Sequence, residues 1–380
     1  MKNELGIGIV GAGGFAAFAA KAFLLVPGIK IIAVTDINEK AALQMGNELK
    51  IKVYNNNYEE FLQDNSIDLV YIATPPFLHY EQTKKALLAG RHVICEKPAA
   101  LKTIEAEELQ MLASSLQLLY VVNLMQRYNP LYAIVRRIID EKILGNFVHG
   151  FFENYASDEN LKKEHWFWEE KKSGGILIEH GVHFFDMFSG WLGKGKVINA
   201  IRLRRPGVDP ELVDRAQATV LYRDGIVNFY HGFDQPMVLD RQEMRLAFEK
   251  GEITLYGWIP VQMKVHGLFL EKDLMRLREI MSELTFMANN ESPVNQKVVG
   301  RFTNIVYDHH ITFDYEDKLG KQGRYREMLS AMLQDQWDWT RDRQHVRVID
   351  DNNAVESIRV AEQATNIAQY YNSKTYAFSN

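Results

Sequence analysis

The chain has 380 residues, enough for two or three domains of ordinary size with cores of their own. Hydrophobic residues make up 47% and charged residues 24%, which excludes disordered, collagen-like and coiled-coil classes. A net charge of −5, from 44 Lys+Arg and 49 Asp+Glu without a long run of either sign, leaves no electrostatic footprint for nucleic acid or an anionic membrane. The single cysteine, Cys95, cannot form an internal disulfide and suits a reducing compartment. Leu5 to Val26 is largely apolar, but Lys21 and the glycines at 6, 8, 11, 13 and 14 mark a strand and a tight turn, not a signal peptide or a membrane span. A cytoplasmic protein with small-molecule or protein partners is expected.

The first 123 residues alternate short apolar runs with helical patterns, which predicts successive βα units around a doubly wound parallel sheet. The expected strands are Gly6 to Val10, Ile31 to Thr35, Lys52 to Tyr54, Asp68 to Ala73, His92 to Cys95 and Leu119 to Val122. Helices such as Phe15 to Leu25 and Tyr80 to Ala89 lie between them. From residue 124 to about 345 the pattern changes to α+β. A helix near Pro130 to Ile139 is followed by longer alternating strands, Phe147 to Tyr155, Val197 to Leu203, Ala216 to Tyr222 and Ile226 to His231. These predict a large, mainly antiparallel, open-faced sheet. An apolar helix follows Ser173-Gly174-Gly175 and runs to Trp191. Residues 346–380 form a third, C-terminal helical segment expected to pack back towards the first domain, with an amphipathic helix over Asn352 to Tyr370.

The first strand runs into Gly11-Ala12-Gly13-Gly14-Phe15-Ala16, a G-x-G-x-x-A turn opening a helix. Gly11 permits the turn, Gly13 lets a pyrophosphate approach the backbone, and the amides at the helix start attract its charge. The second strand ends in Asp36, 23 residues after Gly13, where a carboxylate would accept from adenosine ribose hydroxyls and repel a 2′-phosphate. With Ile37 and Asn38 following and no arginine at hand, NAD is expected as cofactor in preference to NADP.

The fourth and fifth strands lead into Thr74-Pro75-Pro76-Phe77-Leu78-His79 and Ala89-Gly90-Arg91-His92-Val93-Ile94-Cys95-Glu96-Lys97-Pro98. With the glycine turn, these segments resemble the Gfo/Idh/MocA family, named for glucose–fructose oxidoreductase, inositol dehydrogenase and a rhizopine catabolism protein. Asn123-Leu124-Met125-Gln126-Arg127-Tyr128-Asn129-Pro130 is similar to the family's exit from the nucleotide domain. Trp166 and the run Ser173 to Asp186 resemble its tryptophan near the cofactor and its Gly-Gly-Gly-x-x-x-Asp-x-Gly-x-His-x-x-Asp helix. The resemblance covers residues 5 to about 260 and the last helix. It implies cofactor contacts from Gly11, Ala12, Gly13, Gly14, Phe15, Asp36, Thr74, Pro75, His79, Glu96, Lys97, Arg127 and Trp166. Glu179 stands where the family has a catalytic aspartate, Ser173 replaces the first glycine of the triplet, and His180 occupies a usually apolar position.

Oxidising a secondary alcohol requires a base at the hydroxyl as hydride leaves carbon. Lys97, at the end of the fifth strand, and Glu179 and His183, four apart on one predicted helix and so on one face, are the expected catalytic residues. His183 is the natural base, Lys97 positions the oxygen, and Glu179 orients the alcohol or the imidazole. Glu179, His180 and His183 do not make a metal site, because no third ligand accompanies Glu-x-x-x-His.

The expected function is NAD-dependent hydride transfer to or from a secondary hydroxyl of a sugar, inositol or related polyol. The alternatives are an enzyme that retains NAD and transiently oxidises a glycoside to drive elimination or hydrolysis, and a non-catalytic NAD-sensing regulator. Apolar residues on both faces of Val197 to Ile201 and Ile226 to Phe229 predict a homodimer or homotetramer through the second-domain sheet.

Overall fold

The computed structural model describes residues 4–158, 160–205, 212–223, 225–299 and 304–371. The amino-terminal half alternates β1 (Leu5–Val10), α1 (Gly14–Phe23), β2 (Ile29–Asp36), α2 (Glu39–Leu49), β3 (Lys52–Asn55), α3 (Tyr58–Gln63), β4 (Leu69–Ile72), α4 (His79–Leu88), β5 (His92–Cys95), α5 (Thr103–Ser115) and β6 (Tyr120–Val122). There follow α6 (Pro130–Asp140), β7 (Phe147–Tyr155), α7 (Glu170–Ser173), α8 (Ile176–Glu179) and α9 (Gly181–Leu192). The strand-rich stretch is β8 (Lys196–Arg204), β9 (Val213–Leu221), β10 (Ile226–Gly232), β11 (Arg241–Phe248), β12 (Gly251–Tyr256) and β13 (Gln262–Phe269). The chain closes with α10 (Glu271–Ile280), β14 (Met287–Val299), β15 (Asn304–Glu316), α11 (Gly320–Arg341), α12 (Asp351–Ile367) and β16 (Gln369–Tyr371).

The described residues form two compact units. One comprises Met1–Tyr128, Lys163–Asp186 and Tyr325–Thr365, the other Asn129–Lys162, Met187–Arg324 and Asn366–Asn380.

In the first unit the strands are parallel in the order β3-β2-β1-β4-β5-β6, the doubly wound dinucleotide arrangement with its switch point between β1 and β4. Strands buried on both faces carry no alternation, and β1, β4 and β6 are buried at every position. Cys95 ends β5 fully buried. Distant parts of the sequence complete this unit. The Thr103 backbone N–H and hydroxyl both donate to Glu362 of α12, at 2.9 and 2.5 Å. On α11, Ser330 donates to the Ala22 carbonyl at 2.8 Å.

The second unit holds a sheet in the order β14-β15-β13-β12-β11-β7-β10-β9-β8-β16, antiparallel except at β7–β10 and β8–β16. Its strands alternate. In β7, Phe147, Gly150, Phe152 and Asn154 are buried and the residues between them are not. On the buried face Phe188 meets Phe229 edge-on at 5.1 Å, and Trp191 stacks on Tyr132 at 5.3 Å.

The structure corrects three expectations. The final helix stops at Ile367, and Gln369–Tyr371 adds instead as a strand parallel to β8, with the Arg202 guanidinium 4.0 Å from the Tyr370 ring centre. The helix expected from residue 176 to Trp191 is two helices, interrupted at His180. The second face of the large sheet is mixed rather than uniformly apolar, with Ile198 and Leu221 exposed among polar side chains. A bulge between Val197 and Asn199 sets Ile198 and Asn199 outward. Elsewhere that face carries pairs such as Thr219–Asn228 at 2.8 Å and Arg245–Glu243 at 3.1 Å.

Candidate active site

The β1–α1 turn is built to expose backbone. Gly11 has φ +96°, and a Cβ there would stand 2.6 Å from the Ala73 carbonyl oxygen, so only glycine fits. Its N–H donates to the Thr35 carbonyl at 2.9 Å, fixing the turn against β2. Asn38 and Asn57 cap α2 and α3 through their side chains, but α1 has Gly13 at its N-cap, with no side-chain cap and no acid in its first turn. A Cβ on Gly13 or Gly14 would meet nothing within 4 Å. An uncapped helix start beside bare, open backbone suits an anionic pyrophosphate.

Asp36 Oδ2 accepts from the Ala12 N–H and Oδ1 from the Asn38 N–H, each at 2.6 Å. Each oxygen keeps a second lone pair for a ribose hydroxyl. Phe15 flanks the turn with its ring 5.8 Å from Tyr325.

At the carboxyl ends of β4 and β5 the backbone is braced from below. His79 is buried, with Nδ1 2.7 Å from the Pro98 carbonyl and Nε2 2.7 Å from the Thr74 carbonyl. It therefore ties the Thr74-Pro75 turn to the segment after Lys97. Burial pushes its pKa down, against the pull of the two carbonyls. Thr74 donates to Gln82 at 2.5 Å. Glu96 is also buried, which raises its pKa. It accepts from the Asn123 amide at 2.7 Å and from the Tyr71 hydroxyl.

Lys97, next in sequence, donates to the Glu179 carboxylate and, at 2.9 Å, to the Glu179 backbone carbonyl. The interruption at His180 makes the second bond available, because a carbonyl at a helix end has no intrahelical partner. The pair is largely shielded from water, with side-chain exposures of 18% for Lys97 and 10% for Glu179. His183 is buried in the first turn of α9. Burial, then the Lys97 charge, hold its pKa well below the usual imidazole value. Lys97 and Glu179 thus meet directly and His183 feels the Lys97 charge, with Glu179 and His183 on two helices and not on one helical face. His180 is buried with its ring 5.3 Å from Phe184.

Two further residues expected to meet the cofactor, Arg127 and Trp166, have these neighbours. The Arg127 guanidinium grips Asp186, through Nε at 2.7 Å and Nη2 at 2.8 Å. Trp166 lies in a one-turn 3-10 segment with its ring 5.1 Å from His165. Ser173, in place of the family's glycine, is the last residue of α7 and needs no unusual backbone angle, whereas Gly174 and Gly175 have φ +79° and +82°. Sequence reasoning missed the partners Tyr71 and Asn123 of Glu96. Tyr71 gives no signal inside an apolar strand, while Asn123 directly follows one, where a buried amide is open to suspicion.

The family model for the NAD-binding Rossmann fold of an oxidoreductase family matches residues 5–124, and the model for the GFO/IDH/MocA C-terminal domain matches residues 132–254. This chain belongs to the Gfo/Idh/MocA family. Among curated Gfo/Idh/MocA relatives, scyllo-inositol 2-dehydrogenase (NAD(+)) of Bacillus subtilis is 28% identical over 194 residues, 51% of this chain and 55% of that protein. The chain therefore spans about half the length of that relative. The solved structure of GenD2 from gentamicin A biosynthesis, in complex with NAD, has a TM-score of 0.73 at 18% identity over 96% of this chain and 93% of its own. KijD10, a 3-ketoreductase from Actinomadura kijaniata in complex with NADP, has 0.70 at 17% over 97% and 100%. These likenesses establish the fold. Residues 255–325 lie outside the matched family models, and there Asp308 caps α10 by accepting from the Glu271 N–H at 2.9 Å.

Proposed function

We propose that the protein is an NAD-dependent dehydrogenase acting on a secondary hydroxyl of a sugar, inositol or related polyol. The observation that carries this reading is the shielded Lys97–Glu179 pair beside His183. It belongs to the unit whose strands end at the uncapped dinucleotide turn. The nicotinamide, when bound, supplies the hydride acceptor. His183, kept neutral by its surroundings, takes the hydroxyl proton as the C–H bond breaks. Lys97 donates to the alcohol oxygen and stabilises the developing alkoxide. Glu179 acts as a positioning residue, holding the ammonium group from the helix end. Asp36 favours NAD over NADP, since a 2′-phosphate would meet its carboxylate. The activity named for the Bacillus subtilis relative supports the substrate class.

The test is purified protein with NAD and NADP against a panel of cyclitols, aldoses, glycosides and uronates, read at 340 nm. No reduced coenzyme from any of them, in protein shown to bind NAD, would overturn the reading. We also propose a homodimer or homotetramer through the outward face of the ten-stranded sheet, where Ile198 and Leu221 are exposed. Light scattering should give two or four times 43.9 kDa, and a monomer mass at micromolar concentration would refute it.

A further inference from the structure

The first unit contains a second cavity-lining cluster, at the opposite end of its parallel sheet from Gly11 and Lys97. β6 is the edge strand, and Tyr120 stands at its amino-terminal end. The glycine turn and Lys97 follow the carboxyl ends of β1 and β5, so this cavity is separate from the coenzyme crevice. It is a half-open pocket of about 400 Å³ among Ser114, Tyr120, Trp339, Arg343, Arg347 and Asp351.

Its lining is chemically unbalanced. The guanidinium carbons of Arg343 and Arg347 lie 3.9 and 4.3 Å from the centre of the Trp339 ring. Arg347 donates to Asp351 at 3.3 Å and to the Gln336 side-chain oxygen at 3.2 Å. Arg343 donates to the Gln117 backbone carbonyl at 3.1 Å, so two lining cations face one lining carboxylate. Burial, then the charge of Arg347, hold the Arg343 pKa below its usual value. His92, which feels the Arg343 charge, is pushed down to about 4, by burial first, and adds no positive charge at neutral pH. Tyr120 is 2% exposed, and its hydroxyl is buried without a hydrogen-bond partner among the described residues. A buried hydroxyl in that state costs free energy unless whatever fills the cavity bonds to it.

We propose that this cavity binds a small organic oxyanion, a phosphate ester or a carboxylate. The anion would sit between Arg343 and Arg347, where a guanidinium fork gives charge-assisted and geometrically specific hydrogen bonds. The Tyr120 hydroxyl would bond its polar body. The indole of Trp339 holds both guanidiniums in place through their stacking on its ring, so the site is formed before the ligand arrives.

The test uses the full chain saturated with NAD, so that the coenzyme site cannot take up the probe, in titration calorimetry with inorganic phosphate and with citrate. Saturable binding of either with a Kd below about 1 mM is expected. Arg343→Gln should weaken it by about tenfold or more, and Tyr120→Phe by about threefold, with NAD affinity within about twofold of wild type. Phosphate preferred over citrate identifies a phosphate ester as the ligand class, and the reverse a carboxylate. No saturable heat with either probe up to about 10 mM, or binding that Arg343→Gln leaves unchanged, would overturn the proposal. The result is independent of the hydride-transfer reading, since neither variant touches Lys97, Glu179 or His183.

Discussion

In the six-stranded sheet β1, β4 and β6 expose no position, whereas in the ten-stranded sheet β7, β9, β11 and β13 alternate buried and accessible residues. The first sheet uses the side chains along those strands for packing, so groups available for chemistry are left to the strand ends, at Asp36, Thr74 and Lys97. The second sheet keeps half its side chains for a surface. Parallel strands covered on both faces become a scaffold with a working rim, and antiparallel strands covered on one become a wall with a usable face.

The most direct way to break this contrast is to compare neighbouring residues. Phe152→Ala, on the buried face of β7, should cost about 3–5 kcal/mol of stability, while Phe151→Ala beside it should cost less than about 1. In β5 the consecutive pair Val93→Ala and Ile94→Ala should each cost about 2 kcal/mol or more. Urea unfolding measures all four, and equal costs at 151 and 152 would refute the alternation. At the rim the expectation reverses. Lys97→Ala should leave stability and NAD binding close to wild type but lower turnover by about 10² or more. Activity within threefold of wild type would remove Lys97 from the reaction.

Besides His183, two histidines are pushed far below their ordinary value chiefly by burial, half-buried His92 to about 4 and fully buried His231 to about 3. Unfolded chain binds these protons near pH 6.5 and folded chain does not, so stability is complete above that pH and falls as pH drops from 6.5 towards 3. His231→Gln should remove about 1.4 kcal/mol of the loss between pH 7.5 and 5.5. An unchanged pH dependence would show that His231 protonates in the folded state. The smallest effect is expected at the end of β2. Asp36→Ser should shift the ratio of kcat/KM for NAD over NADP by about tenfold towards NADP, and a preference for NADP in wild type would contradict the role given to Asp36.

Much of the first unit was legible because one chemistry dictates it. Continuous apolar runs, Gly11 at a turn that admits no Cβ and Asp36 at a strand end each report a local backbone requirement. The second sheet's strands were legible from alternation, but its outward face was not. Ile198 and Ile226 read as apolar on both sides until the bulge at Val197–Asn199 and the partners of Asn228 are known. The convergence at the candidate site was half legible. Residue spacing suggested that Glu179 and His183 share a helix face, yet the interruption at His180, with two turn glycines just before α8, gives Lys97 a backbone carbonyl that spacing cannot foresee. The Glu96 brace from Tyr71 depends on contact between two strands and leaves no trace in either.

The first unit is assembled from stretches far apart in the chain, and this has a consequence for synthesis. Tyr325, whose ring meets Phe18 edge-on at 5.1 Å, and Glu362, which holds Thr103 from 259 positions away, are translated about two hundred residues after β6. At ribosomal rates of about 5–20 residues per second the nascent sheet waits some tens of seconds for these helices. During that interval the surface that α11 and α12 will cover stays open to solvent and to holdase chaperones. The six-stranded sheet, made before these helices, is therefore among the last parts of the molecule to finish folding.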